Sequence, residues 1–177
     1  TTTRWLSRVG SSRNNITFDY VIISEFISNI FKRLFPKKEL MSNTYWLINL
    51  KSEEYIKNSS NKRNQIFMDK DKKKVSRMSN GDKLIYYIGD KNCFVGISEI
   101  KSDTPEELTN KNLSIKVKKS NHLNINKSVD GDQIGPSLDY VKRWAPERWR
   151  LAMVGSLHIV SQNDYNLINS SIKSHLG

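Results

Sequence analysis

One cysteine, three histidines and no long apolar run are scarcities that narrow this chain before any motif is read. Cys93 has no second thiol to meet, so an internal disulfide is excluded and nothing calls for an oxidising compartment; a cytoplasmic setting is expected. The thiol lies in the apolar stretch Cys93-Phe94-Val95-Gly96-Ile97 and reads as a core residue. No stretch approaches the ~18 consecutive apolar residues of a spanning helix, so no membrane partner is expected for the main domain. His122, His158 and His175 lie far apart, and none has a Cys, His or Glu neighbour at metal-ligand spacing, so neither a metal nor another cofactor is expected. P-loop, Rossmann and Gly-x-Ser-x-Gly signatures are also missing. Glu99 stands inside an apolar strand with no evident partner for acid–base work. No catalytic residue is therefore assigned, and the chain reads as a non-enzyme, with a small catalyst acting on nucleotides or nucleic acid as the alternative.

Positive charge is what the chain has in excess. It carries 29 Lys and Arg against 18 Asp and Glu, a formal net charge of +11 over 177 residues. Such a surface favours polyanions, because lysines that neutralise phosphates release counterions. The charge is also clustered. From Lys57 to Arg77, eight basic residues (Lys57, Lys62, Arg63, Lys70, Lys72, Lys73, Lys74 and Arg77) are offset only by Asp69 and Asp71, leaving +6. Arg143, Arg148 and Arg150 form a second group around Trp144 and Trp149. Basic residues interleaved with aromatics suit a nucleic-acid groove.

The chain divides at about Met41, its first methionine, where a strand pattern begins. Residues 1–40 read as an extension. Thr1 to Asn15 is polar and rich in Ser and Arg, a composition that favours disorder. Ile16 to Phe35 repeats apolar pairs every four residues, as a helix stripe does. That stripe suits a membrane-surface or partner-binding helix, and equally a segment with no native role. Residues 41–177 read as one α+β domain. Strands are expected at Thr44–Leu50, Asn64–Met68, Lys83–Ile88, Cys93–Ile100, Leu113–Val117 and Trp149–Val154. Gly89-Asp90-Lys91-Asn92 joins two of them in a hairpin, and Ser79-Asn80-Gly81-Asp82 marks a turn. Short helices are expected at Ser52–Ile56, after the capping box Thr104-Pro105-Glu106-Glu107, and at Ser137–Lys142. A last helix starts at Ser161 with Asp164 and shows Tyr165, Ile168, Ile172 and Leu176 on one face. Five or six short strands with helical plugs point to a closed or nearly closed barrel, which removes exposed edges.

Several collinear stretches resemble the EVE domain in its archaeal form. Tyr45-Trp46-Leu47-Ile48 with Lys51-Ser52 resembles its opening strand. Lys74 to Tyr87 resembles its basic loop, Gly-Asp turn and following strand. Phe94 to Ile100 resembles a "hydrophobic–Gly–hydrophobic–small–Glu" strand, and Arg148-Trp149 with Gly155 to Tyr165 the closing region. The related YTH domain is similar in the same places: its Lys-Ser falls at Lys51-Ser52, the tryptophan after its second strand falls at Phe67, and its Cys-Gly-Val-Ala-Glu-Met-Lys-Ser strand falls at Phe94 to Ser102. The resemblance implies a PUA-like five- to six-stranded β-barrel with short helices and a C-terminal helix. It also implies an aromatic cage for one nucleobase, read by backbone groups near the second strand. The candidate base-binding residues are Lys51, Ser52, Phe67, Met68, Asp69 and Trp149, and the candidate phosphate-binding residues are Lys72, Lys73, Lys74, Arg77 and Arg148. Phe in place of Trp weakens stacking, and Lys101 to Asn112 contains no Trp, so the second wall is expected from Trp144 or Trp149. Trp46 alternates with Ile48 and reads as core. The implied partner is DNA or RNA carrying a modified, methylated base, with a generic PUA-type binder of tRNA or rRNA as the alternative. The sequence leaves the oligomeric state open.

Overall fold

Apolar residues on consecutive positions, rather than strict alternation, mark the central strands. Lys83–Ile88 (β3) runs Leu-Ile-Tyr-Tyr-Ile after its lysine, and all five are buried. A strand that is apolar on both faces must be covered on both faces. The computed structural model, which describes residues 43–59 and 63–177, shows how. The expectations for residues 1–40, the boundary at Met41 and Lys62 lie outside those residues.

The elements are β1 (Tyr45–Leu50), α1 (Ser52–Ser59), β2 (Asn64–Phe67), a 3-10 turn at Asp69–Asp71, α2 (Lys72–Val75), β3, β4 (Cys93–Ile100), β5 (Glu106–Glu107), β6 (Leu113–His122), β7 (Val129–Asp130), α3 (Gly131–Ile134), β8 (Leu157–Val160) and α4 (Gln162–Ser174). They form a curled mixed sheet, a half-barrel, ordered β2-β6-β4-β3-β1-β8. β1 pairs parallel with β3, from Tyr45↔Lys83 to Leu50↔Ile88, and the other pairs on this path are antiparallel. Trp46, Ile48, Tyr86, Ile88, Phe67, Val75 and Leu157 belong to a core enclosed by the curl. Leu47, Ile85, Tyr87 and Phe94 belong to a second core beneath α4 and the late 3-10 helix, with Trp149, Met153, Ile168 and Ile172.

The Gly-Asp turn is tied to the first core. Gly81 takes φ +96°, a left-handed conformation that suits glycine. Asp82, buried, then accepts hydrogen bonds from Trp46 Nε1 (2.9 Å), Thr44 N (2.9 Å) and Ser79 N (3.1 Å). The glycine of the β4 motif has a steric cause as well: a Cβ on Gly96 would stand 2.6 Å from His122 Nδ1. Ser98, the small residue two positions on, meets His122 Nε2 at 3.0 Å.

Three expectations are corrected. Thr104 to Glu107 forms no helix, because Glu106 and Glu107 pair with Ser114 and Leu113 of β6. A single helical turn has too few hydrogen bonds to compete with a sheet edge already in place. Trp149–Val154 is not a strand but part of a 3-10 helix, Pro146–Met153; Trp149 and Met153 are buried while Leu151 between them is 48% exposed, a helical rather than a two-residue spacing. The closing strand is instead Leu157–Val160, paired antiparallel with β1. The basic segment after β2, read as a loop, is the 3-10 turn and α2. The hairpin, α1 and the Ser161/Asp164 capping box of α4 are where they were expected.

Candidate functional site

The curl brings the edges β2 and β8 near each other without pairing them, and the segment after β2 bridges the seam. Ser156 Oγ donates to Asp71 Oδ1 (2.6 Å), and Lys74 Nζ donates to the Leu157 carbonyl (2.7 Å). Beside the seam lies a cleft of about 700 Å³, walled by the end of β1, one face of α1, the end of β2, the 3-10 turn, the loop before β6, and Gly155-Ser156.

The chemistry of its walls is mixed. Phe67 supplies a ring that also belongs to the barrel core and is only 4% exposed. Ile48, Leu50, Ile66 and Leu108 add aliphatic surface, and half-exposed Met68 stands at the mouth. Lys51, Lys57 and Lys70 bring positive charge, and Glu54 and Asp71 bring carboxylates. β2 contributes main-chain donors. Val117 N–H donates to the Arg63 carbonyl (2.7 Å), so Arg63, Gln65 and Phe67 turn their backbone groups to β6. Ile66 and Met68 therefore turn theirs to the open edge on the cleft side. Their carbonyls are taken up locally, Ile66 O by Gln65 Nε2 (2.8 Å) and Met68 O by Asp71 N (3.0 Å).

The sequence candidates divide accordingly. Lys51, Phe67 and Met68 meet in the cleft. Ser52, the next residue after Lys51, turns away: its hydroxyl donates to Asp90 Oδ2 (2.5 Å) and its N–H to Asp90 Oδ1 (2.8 Å). Against the desolvation that burial imposes, these bonds hold the Asp90 carboxyl below the usual range. Asp69 is exposed and is not among the described residues lining the cleft. Trp149 is elsewhere. It is 2% exposed in the second core, its ring lies where a Cβ on Gly135 would come within 2.5 Å, and its Nε1 donates to Asp132 (3.0 Å). Trp144 is 44% exposed and does not line the cleft among the described residues. No tryptophan is among the described residues that line the cleft; Leu108, Asn110 and Asn112 come to it from the very loop that lacks Trp.

Of the phosphate candidates, Lys73, Arg77 and Arg148 are exposed. Lys72 pairs with Glu107 (2.9 Å). Lys74 is held by the Leu157 carbonyl and acts as a structural tie. The lysines in the cleft itself are Lys51, Lys57 and Lys70. Lys57 and Lys70 were visible in the charge count but not as cleft residues, and Asp71 and Leu108 gave no signal in the sequence.

The side chains with acid–base potential outside the cleft have partners of their own. Glu99 accepts from Lys101 (2.5 Å) and pairs with Lys83 (3.3 Å), and those lysines hold its carboxyl below the usual range. His122 lies between Tyr55 Oη (3.1 Å) and Ser98 Oγ, and burial pushes its imidazole down to about 4. The same burial pushes the Tyr55 phenol up to about 12. Among the described residues no group of three or more His, Cys, Asp or Glu is placed to hold a metal, and no helix is long and apolar enough to cross a membrane.

No protein-family model and no curated protein matches the chain. Solved structures do. The YTH domain of Zygosaccharomyces rouxii MRB1, in complex with N6-methyladenosine RNA, superposes with a TM-score of 0.58 at 15% identity, over 75% of this chain and 88% of that one. The fold is YTH-like. A YTH domain of Mmi1 in complex with RNA gives 0.54 at 11% identity, over 76% and 87%. A hypothetical protein from Leishmania major gives 0.53 at 15% identity, over 77% and 98%. At these identities the YTH-like likeness establishes the arrangement of strands and helices.

Proposed function

We propose that this protein is a nucleic-acid-binding module that holds a single methylated base in the cleft beside Phe67. The observation that carries the reading is the cleft itself. It is about 700 Å³ in volume, with a phenyl ring and aliphatic side chains in its wall, the open edge of β2 beside them, and lysines around it. A base presents a π face for the ring and a polar edge for the main-chain donors. Lys51, Lys57 and Lys70, continued by Lys73 and Arg77, take the flanking phosphates. The YTH-like fold supports RNA as the partner, since YTH domains of this fold have been solved with RNA, one of them with N6-methyladenosine RNA. The motifs resembling EVE domains support placing the chain with that branch of PUA-like barrels. The reading is of a binder and not an enzyme.

A generic RNA-binding role is favoured by one feature, the single aromatic wall. A methyl group in a tight apolar pocket adds on the order of 1 kcal/mol, which is about tenfold in affinity. Titration of the protein with paired oligonucleotides, methylated and unmethylated at one position, separates the two. Preference for the methylated strand, reduced by Phe67→Leu, supports the base reader. Equal affinity for both strands in wild type and variant would sink it and leave the generic binder.

A further inference from the structure

Helix α1 has a cleft on each side. Glu54, Lys57 and Asn58, at helical spacing, face the one already described. Ser52, Tyr55 and Ile56 repeat that spacing on the opposite side, where a second cleft of about 650 Å³ opens. That volume is ordinary for a small-molecule site. The β3–β4 hairpin tip brings Lys91 to it, and the end of β6 with the segment after it brings Lys119, His122 and Ile125. Its charge is one-sided. Lys91 is exposed and Lys119 half-buried, and none of the described residues lining this cleft is Asp or Glu. The first cleft, by contrast, offsets its lysines with Glu54 and Asp71. Asp90, beside Lys91, is engaged by the Ser52 hydroxyl and N–H. The His122 imidazole meets Tyr55 Oη (3.1 Å) and Ser98 Oγ (3.0 Å), and burial, helped by the Lys119 charge, keeps it neutral at ordinary pH. An ammonium in a concave wall sheds part of its hydration and is stabilised by an anion brought to it. Apolar surface accompanies the charge: Ile56 is 61% exposed on one wall, and half-buried Ile125 stands on another.

We infer that this second cleft binds a free small organic anion, an anionic head on an apolar body. Lys91 and Lys119 take the head, and Ile56 and Ile125 take the body. A nucleic-acid strand is the other polyanion to weigh. To run from the base cleft into this one it would cross the solvent side of α1, where Glu53 is exposed between the two faces. A carboxylate there repels a phosphate backbone, and this favours a separate small molecule. The two clefts share no lining residue among those described, so the second site stands or falls apart from the base-binding reading.

The probe is phenyl phosphate, titrated into the isotope-labelled full chain and followed by NMR at Tyr55, Ile56 and His122. Inorganic phosphate supplies the head alone and phenol the body alone. Phenyl phosphate is expected to shift those signals saturably and to bind roughly tenfold tighter than either part. Lys119→Ala is expected to weaken it about tenfold, the usual worth of a hydrogen bond to a charged group. Ile56→Asn is expected to remove most of its advantage over inorganic phosphate. Thermal melting checks that each variant folds, and Lys91→Ala, at the exposed hairpin tip, gives the same comparison should Lys119→Ala not fold. The site is overturned by the lack of saturable shifts at those residues, by equal affinity for phenyl and inorganic phosphate, or by undiminished affinity in the folded lysine variants. An oligouridine that moves the same signals at a lower phosphate concentration than phenyl phosphate gives the cleft to a nucleic-acid strand and overturns it as well.

Discussion

Phe67 belongs to two environments, since its ring is part of the barrel core and also lines the cleft. Removing it wholesale mixes the two effects, so the informative change is an enlargement. Phe67→Trp offers a larger π face and is expected to tighten oligonucleotide binding by a fraction of the ~1–3 kcal/mol that base–aromatic stacking spans, measured by anisotropy, while the larger ring in a core position lowers stability by about 1–3 kcal/mol, measured by urea denaturation. Trp149 is the contrasting residue. Buried against Gly135 and bonded to Asp132, it is expected to cost about 3–5 kcal/mol of stability on change to Ala, read by urea denaturation, with the Kd of the folded fraction unaltered. His122 gives a pH signature. Its folded value, pushed down to about 4 by burial, lies below the ordinary imidazole value of 6.5, so the unfolded chain binds the extra proton over that window. Stability therefore falls as pH drops from about 6.5 to about 4, by on the order of 3 kcal/mol for this one group. Urea midpoints taken across that range should show the fall, and His122→Gln should flatten it. Phe67 became a cleft candidate only through the YTH resemblance, and the fold does place it in the cleft wall. Trp149 was misread because an aromatic between arginines looks the same whether its ring stacks on a base or fills a core.

At the scale of elements, α2 and the turn before it decide how the seam is held. The basic run reads as a solvated, phosphate-facing loop, yet its members have separate duties. Lys74 ties the run to the β8 edge, Lys72 is matched by Glu107, and Lys70 and Asp71 face the cleft. Lys74→Met is expected to lower stability by about 1 kcal/mol, the net worth of one hydrogen bond, and to speed amide exchange near Leu157. Lys70→Glu is expected to weaken oligonucleotide binding while leaving the melting temperature in place. A single electrostatic duty for the whole run would make the two variants behave alike in both assays. The helix expected after Thr104 and the strand expected at Trp149 failed for a common reason. Each is a short segment whose local preference is worth less than the partner it meets in the fold: the β6 edge in one case, the second core in the other.

At the scale of the molecule, the excess of positive charge sets how binding responds to salt. If Lys51, Lys57 and Lys70 neutralise three phosphates of a single strand, log K falls with log salt with a slope of about −2, and Lys51→Ala makes that slope shallower in a titration series. The sequence alone was enough for the α+β class, the strand-rich domain, the hairpin, the Gly-Asp turn, the capped last helix and the basic character. All of these rest on periodicity, turn chemistry or composition, which neighbouring residues carry by themselves. The tertiary structure alone decided which residues share the cleft. Lys51, Lys57, Phe67, Asp71, Leu108 and Ser156 meet there because a curled sheet brings its first and last edges together, and the closing of that curl depends on hydrogen bonds between residues as far apart as Asp71 and Ser156.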